Sequence, residues 1–458
     1  MRLSDEELLS TLEGILGGSG AERRLTELLE EIQPFDLAEA LTQIPEAGAL
    51  RVLAVMEPTV AAETLEHLEY LEQYRLLHHM DPAVAYRILD QMSSDNVVDL
   101  VLAIHPRQAE LLLKLMPPDT VSTVRSLAEY PENTAGGRMT VDYISVRQQM
   151  TIAQVLAHIR KVGREADTIS YIYAVDGAGR LTGVISLREI IMAEPQERVS
   201  EAMNTSVVSV QATLDQEEVA QIVSNYDFLA VPVVAPDDRL LGVITVDDVI
   251  DVLREEASED VYRLGATDVP EDVQGRSFLR QVWGLARPRL PWLVSLLFLE
   301  MGSSFIVGAF SGIVTPAVAT TLAMFTVVMS GETGNAATQS LAVVVRGLAT
   351  GEIEDKDMPR VVLREALVGV VVGVIVGGTL MLTGWLWHRS LWFGVAVGLA
   401  LAVNLLIAKI LGGLFPVIIQ RMGIDPAVAS GPFITTLTDN TSVFVYYGIA
   451  ALILGRVT

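Results

Sequence analysis

Between Asp425 and Leu454 the sequence reads DPAVASGPFITTLTDNTSVFVYYGIAALIL, long enough to cross a bilayer, with Asp439 near its middle. A carboxylate at that depth is costly unless it meets protein, water or a cation, so an intramembrane acid reads first as functional. Steps of three and four residues from Asp439 reach Thr435 and Pro432 on one side, and Ser442 and Tyr446 on the other. Such positions share one helix face, so the acid belongs to a polar stripe. Pro432 should also free backbone carbonyls in the first half of the helix, and these are tolerated at membrane depth only where they line a cavity or find protein partners. The alternative is an Asp that merely fastens two helices; the pattern favours a cation site in a pore. A second polar run, MSGETGNAATQS (329–340), interrupts an upstream hydrophobic span. Small-residue packing accounts for Gly331, Gly334 and Ala336-Ala337, but not for Glu332, Asn335 and Gln339 together, which call for a wet pathway. Asn404 adds a polar group in a further span, where Lys409 is expected to reach the cytoplasmic interface.

These residues need membrane helices to hold them. Five hydrophobic spans are expected, at about 291–313, 316–345, 361–386, 391–415 and 426–455. Charge divides the chain sharply: residues 1–280 carry 48 of its 57 acids and 22 of its 32 bases, leaving only 9 acids and 10 bases beyond. The acidic half should repel nucleic acid and anionic lipid and attract cations. No cysteine is present, which excludes disulfides and thiolate metal sites. The N-terminus lacks a secretory signal, and Arg287, Arg289, Arg346, Lys356, Arg360, Arg364 and Arg421 flank the spans. The positive-inside rule then puts the acidic half in the cytoplasm and, after five crossings, the C-terminus outside the cell membrane.

Two repeats organise the acidic half. Apolar residues open a block every twelve positions from Ile32 to Met116, most with Pro close behind and another apolar residue nine places on (Leu41, Leu53, Leu65, Leu77, Leu89, Val101, Leu113). That spacing predicts eight short helices, paired every 24 residues, in a small α-solenoid; an irregular bundle is the alternative. Then IYAVDGAGRLTGVISLREII (172–191) aligns with VPVVAPDDRLLGVITVDDVI (231–250), pairing Gly183 with Gly242. Each copy reads as strand, turn, strand and acidic helix start, and resembles one of a tandem pair of CBS domains. By that resemblance Thr245 and Asp248 would bind an adenine nucleotide such as ATP, with Ser186 and Glu189 as counterparts, unless they only cap helices. Residues 251–286 have helical composition and lead into the first span.

Taken together, the acidic helical domain, the AGGRMT entry, the CBS pair, the acidic connector and five spans resemble the MgtE family of magnesium channels. The DPA…GPF.TTLTD phrase of span five and the GN….QS…VVRGLATGE phrase of span two resemble its pore motifs, although Thr333, Ala337 and Thr338 depart from the family's GGNxGNQS. The resemblance implies a multidomain chain: a helical N-domain over 1–131, an α/β CBS pair over 132–200 and 201–256, a connecting helix over 257–286, and an all-α membrane domain of five spans over 287–458. It also implies a homodimer importing Mg2+ through a pore built from spans two and five, with Asp439, Thr435, Thr436, Pro432, Asn335, Gly331, Gly334 and Glu332 around the ion. Mg2+ dehydrates reluctantly, and a wide site of carboxylates, hydroxyls and carbonyls suits the hydrated ion. Regulatory Mg2+ would be held by Glu63, Asp95, Glu217, Asp227, Asp248, Asp251, Glu256, Glu259 and Asp260, closing the pore when the cytoplasm is replete. Seven acids against Arg254 alone between Asp247 and Asp260 is the densest part of this set.

An enzyme is not expected. The histidines (67, 78, 79, 105, 158 and 388) form no HExxH motif, and an acid at the pore centre argues against an anion channel. A coupled secondary transporter using Asp439 as an ion or proton relay stays open.

Overall fold

The computed structural model describes residues 5–16, 21–29, 32–163, 166–267, 278–310, 316–350, 352–353 and 356–454. Two compact units emerge, Met1–Leu253 and Arg254–Thr458. The end of the first expected span (311–313) and the middle of the connector (268–277) lie outside the described residues.

In the first unit, helices begin at Pro34, Glu46, Pro58, Tyr70, Pro82, Ser94, Pro106 and Pro118, one every twelve residues, preceded by Asp5–Leu16 and Ala21–Leu29. Pro at the first helical turn costs no hydrogen bond, because that N–H has no intrahelical partner. Helices two apart touch: Pro34–Gln43 meets Pro58–Glu66, which meets Pro82–Leu89, and the intervening helices form a second such row. Leu41, Leu53, Leu65, Leu77 and Leu89 are all buried between the rows.

The CBS pair supplies two three-stranded sheets of identical layout. In the first, Ser145–Arg147 pairs parallel with Tyr171–Val175, which pairs antiparallel with Leu181–Ser186. The second repeats this with Val210–Gln211, Ala230–Val234 and Leu240–Thr245. The Tyr171–Ser186 partnership recurs 59 residues later as Ala230–Thr245, bulge included. Gly183 and Gly242 are needed for close approach: a Cβ at Gly183 would strike Met203, and one at Gly242 would lie 2.6 Å from the Thr140 carbonyl. The second sheet shares one hydrophobic core with the N-terminal helices, while the first has its own around Ile144, Ile172 and Ile185. Helix Val246–Leu264 then runs unbroken past residue 256.

The second unit contains five long helices: Arg289–Phe310, Pro316–Ala349, Met358–His388, Leu391–Arg421 and Gly431–Leu454. The first, third, fourth and fifth are long and apolar enough to cross a membrane by length and composition. The second carries the polar run, yet its 34 residues form one continuous helix, so the interruption is in polarity and not in backbone. The third and fourth make the most extensive helix contact. A Cβ on Gly373 would lie 2.8 Å from the Ala402 carbonyl and one on Gly377 2.6 Å from that of Gly398, the close backbone approach that small residues permit between membrane helices. Two expectations are corrected here. Pro432 stands in the first turn of its helix and breaks no hydrogen bond. Lys409 is buried and turned inward, donating to Gln339 Oε1 at 3.1 Å, with the buried carboxylate of Glu365 acting on its charge.

Candidate cation sites

The second and fifth long helices run antiparallel in fixed register. Ser330 Oγ donates to Asp439 Oδ1 at 2.5 Å. One turn along, a Cβ on Gly334 would lie 3.2 Å from Thr435 Cγ2; a further turn brings Gly431 against Thr338, at 3.6 Å from its Cγ2. Each step adds four on one helix and removes four from the other, the spacing of one helix face. Asp439 is half-buried here. The neighbouring hydroxyls are spent on their own helix: Thr435 donates to the Gly431 and Pro432 carbonyls and Thr436 to that of Pro432, at 2.9–3.0 Å. Gly331, Glu332, Asn335 and Gln339 lie on the adjoining, exposed stripe of the second helix. The expected pore residues therefore occupy two stripes, one locked to the fifth helix and one open.

The first long helix joins the fifth next to Asp439. Asn440 Nδ2 donates to the Leu299 carbonyl at 3.0 Å, and Ser303 Oγ donates to Asn440 Oδ1 at 3.1 Å.

In the first unit the fold gathers acids that sequence spacing only partly revealed. Asp95 is 9% exposed and its Oδ1 has no hydrogen-bond partner. Burial, the charge of Asp167 and that of Asp99 push its carboxyl up to about 7. Asp248 accepts from Thr245 Oγ1 at 2.6 Å, yet burial and Asp95 push it up to about 7 as well. Asp167, solvent-accessible on its outer side, is likewise raised to about 7 by surrounding protein and by Asp248, Asp247, Asp142 and Glu66. A cleft of about 460 Å³ opens beside this group, lined by Glu63, Glu66, Asp90, Asp142 and Asp167. Sequence reasoning named Glu63, Asp95 and Asp248 and missed Glu66, Asp90, Asp142 and Asp167. Nothing local marks those four; only the tertiary approach of the helical domain to the first CBS domain, through Ser94 and Asp142, does. Among the described residues no three His, Asp or Glu side chains converge to hold a bare ion. Glu217, half-buried, and Asp227, exposed, sit at the two ends of helix Gln216–Tyr226, and Asp251 is exposed.

In the second unit Arg263 forms ion pairs with both Glu259 and Asp425. Asp260 is pushed up to about 6, by burial first and then by Asp425 and Glu256. Leu264 packs into the membrane-helix core, and its carbonyl lies 3.5 Å from where a Gly431 Cβ would be. Asp425 also caps the turn before the fifth helix, accepting from Ala427 N at 2.7 Å.

The expected nucleotide residues make cap hydrogen bonds at the starts of their helices. Ser186 and Glu189 close on each other as a capping box, and on the other repeat Asp248 accepts from both the backbone N–H and the hydroxyl of Thr245. A small cleft of about 60 Å³ lies elsewhere between the two sheets, lined among others by Tyr171, Tyr173, Asn204, Ser206 and Phe228.

Comparison with known proteins accounts for the order of these parts. The profile of the MgtE intracellular N domain matches residues 32–133, that of the CBS domain residues 135–195 and 199–255, and that of the MgtE divalent cation transporter residues 326–449. The magnesium transporter MgtE of Thermus thermophilus is 40% identical over 99% of this chain and 100% of its own. The magnesium transporter MgtE of Bacillus subtilis is 34% identical over 97% of both chains. Among solved structures, the cytosolic domain of the Mg2+ channel MgtE in complex with ATP is 41% identical, with a TM-score of 0.50 over 53% of this chain and 99% of that one. The soluble part of a magnesium transporter is 32% identical, with a TM-score of 0.52 over 56% and 100%. From its N-terminal helices to its last membrane helix, the chain belongs to the MgtE family.

Proposed function

We propose that the protein is a membrane channel that lets Mg2+ into the cytoplasm down its electrochemical gradient. The supporting observation is Asp439, within the apolar fifth helix, which accepts a hydrogen bond from Ser330 where the second and fifth helices meet. Five helices cross the membrane, the helical and CBS domains lie in the cytoplasm and the C-terminus outside. The N-terminal helix rows act as a short solenoid. Two chains form the pore, with Asp439 of each facing the common pathway beside the open stripe of Glu332 and Asn335. Hydrated Mg2+ is bound through its water, weakly enough to leave.

Cytoplasmic Mg2+ closes the pore. Its differential affinity for one of two states shifts the population. Asp95, Asp248 and Asp167, too crowded to ionise together at neutral pH, gain a counter-charge on binding it. Glu259 and Asp260 act at the start of the fifth helix beside Asp425. ATP, which the solved MgtE cytosolic domain carries, would enter at the Tyr171–Phe228 cleft after modest opening.

Proteoliposome uptake of Mg2+ by the parent and Asp439→Ala, without proton or sodium gradients, tests the reading. Near-complete loss in a variant that still assembles supports it. Uptake equal to the parent overturns it, and parent uptake that requires an imposed gradient points to coupled transport.

A further inference from the structure

Glu300 is an ionisable residue within the first long helix that the pore reading leaves unused. It is the twelfth of 22 residues in Arg289–Phe310, a helix apolar enough to cross the membrane. Its side chain is exposed, and among the described residues nothing donates a hydrogen bond or a positive charge to it. A bare carboxylate at that depth is too costly to be incidental. Among the described residues, the charge that acts on it is that of Asp439.

Its helix is bolted to the fifth at the residue next to Asp439. The Leu299 carbonyl and Ser303 hydroxyl both bond Asn440, and a Cβ on Gly302 would lie 2.5 Å from Asn440 Oδ1. Residues 299, 302 and 303 thus fix the rotation and depth of the first helix, and with them the position of Glu300 relative to Asp439. Like charges brought within electrostatic reach at low dielectric repel strongly. Among the described residues no cationic side chain compensates them, whereas one divalent cation neutralises both.

We propose that Glu300 is a second ion-binding carboxylate of the Asp439 position, giving each chain its own acid pair for one hydrated divalent cation. This rests on the pore reading above and deepens it: preference for a double charge is set within one chain, not only by two copies of Asp439 across a dimer axis. A monovalent ion leaves the pair with net charge and is held less well.

The chain contains no cysteine, so Glu300→Cys introduces a single thiol. A thiolate that faces water attacks a sulfonate-bearing methanethiosulfonate reagent, forming a mixed disulfide with release of methanesulfinate and so restoring a negative charge at the position. The expected result is modification, slowed by Mg2+. In proteoliposomes Glu300→Gln should raise the half-saturating Mg2+ concentration about tenfold, the factor for about 1.4 kcal/mol, and Glu300→Asp should recover most of it. A thiol that does not react, or reacts equally fast with Mg2+ present, together with parent-like saturation of Glu300→Gln, overturns the inference. Asp439→Asn in the same assay separates the two ideas. Its inactivity beside unaffected Glu300 variants removes Glu300 alone, while its full activity removes the pore reading itself. If Glu300→Gln does not elute as an assembled protein, the thiol measurement decides.

Discussion

Ser330 on the second long helix is, among the described residues, the one side chain that donates to Asp439 on the fifth. It orients the carboxylate without neutralising it, which a Lys or Arg in its place would do. A hydrogen bond to a charged acceptor contributes about 1.5–3 kcal/mol. Ser330→Ala should therefore lower the melting temperature in detergent and weaken Mg2+ saturation a few-fold, yet keep transport. Asp439→Asn should lose transport with the melting temperature nearly kept. Both are read by isotope uptake and thermal unfolding.

Gly334 allows the second and fifth helices to touch at Thr435. Gly334→Val adds three carbons where one already meets tight space, and overpacking of this kind costs about 1–3 kcal/mol. Uptake should fall by more than stability alone explains, because the Ser330 bond one turn away is stretched. Gly334→Ala, needing a few tenths of an ångström, should be milder in both readouts.

The acids Asp95, Asp167 and Asp248, all raised from 3.8 to about 7, make stability depend on pH. Because their folded values exceed their unfolded ones, the native state binds more protons between these limits. The stabilisation is complete below about pH 4 and is lost as pH rises through about 7. Without divalent ions the protein should melt earlier at pH 8 than at pH 6, and millimolar Mg2+ should raise the melting temperature more at pH 8. Asp95→Asn should flatten this slope and raise the Mg2+-free melting temperature at pH 8 by about 2–5 °C.

Arg263 holds the end of helix Val246–Leu264 to Asp425. In the proposed gating scheme it serves as a tethered cation that keeps part of the closed contact when Mg2+ is scarce. Arg263→Gln should raise Mg2+ uptake into Mg2+-free vesicles a few-fold, and closure should then require more Mg2+. Unchanged basal uptake would argue that the ion pair is only structural.

Lys409 and Glu365 are 5% and 6% exposed, with Gln339 on the first and Ser340 on the second. Removing one member of a buried charged set costs about 3–5 kcal/mol, whereas removing both is far cheaper. Lys409→Met should therefore melt lower than the Lys409→Met/Glu365→Gln double variant, a sign reversal of additivity that a thermal double-mutant cycle reads directly.

Periodic features were legible before any coordinates. A twelve-residue rhythm of Pro and Leu became helices starting every twelve residues, and the match between 172–191 and 231–250 became a sheet register repeated at 59. Both follow from local rules, since Pro starts helices and alternation makes strands. The pore residues were legible as types but not as stripes. Ser330 differs from Glu332 only in which face of one helix it occupies, and the partner helix decides that. Lys409 looked like an interfacial lysine because hydropathy sees the span's end and not the carboxylate of another helix. Glu300 was overlooked within a strongly apolar run. Asp167 and Asp142 escaped notice because their meaning comes from Asp95 and Ser94, brought near by tertiary folding.

The repeat of contacts along the second and fifth helices, Ser330 with Asp439, Gly334 with Thr435 and Thr338 with Gly431, is a vernier with small or hydroxyl-bearing residues at every notch. A slip by one helical turn, about 5.4 Å, would keep the helices in close contact while moving Asp439 from a hydroxyl to the bare backbone of Gly334. In that second register the acid would lose its proton donor on the protein and would have to find a partner in the passing solvent and ions.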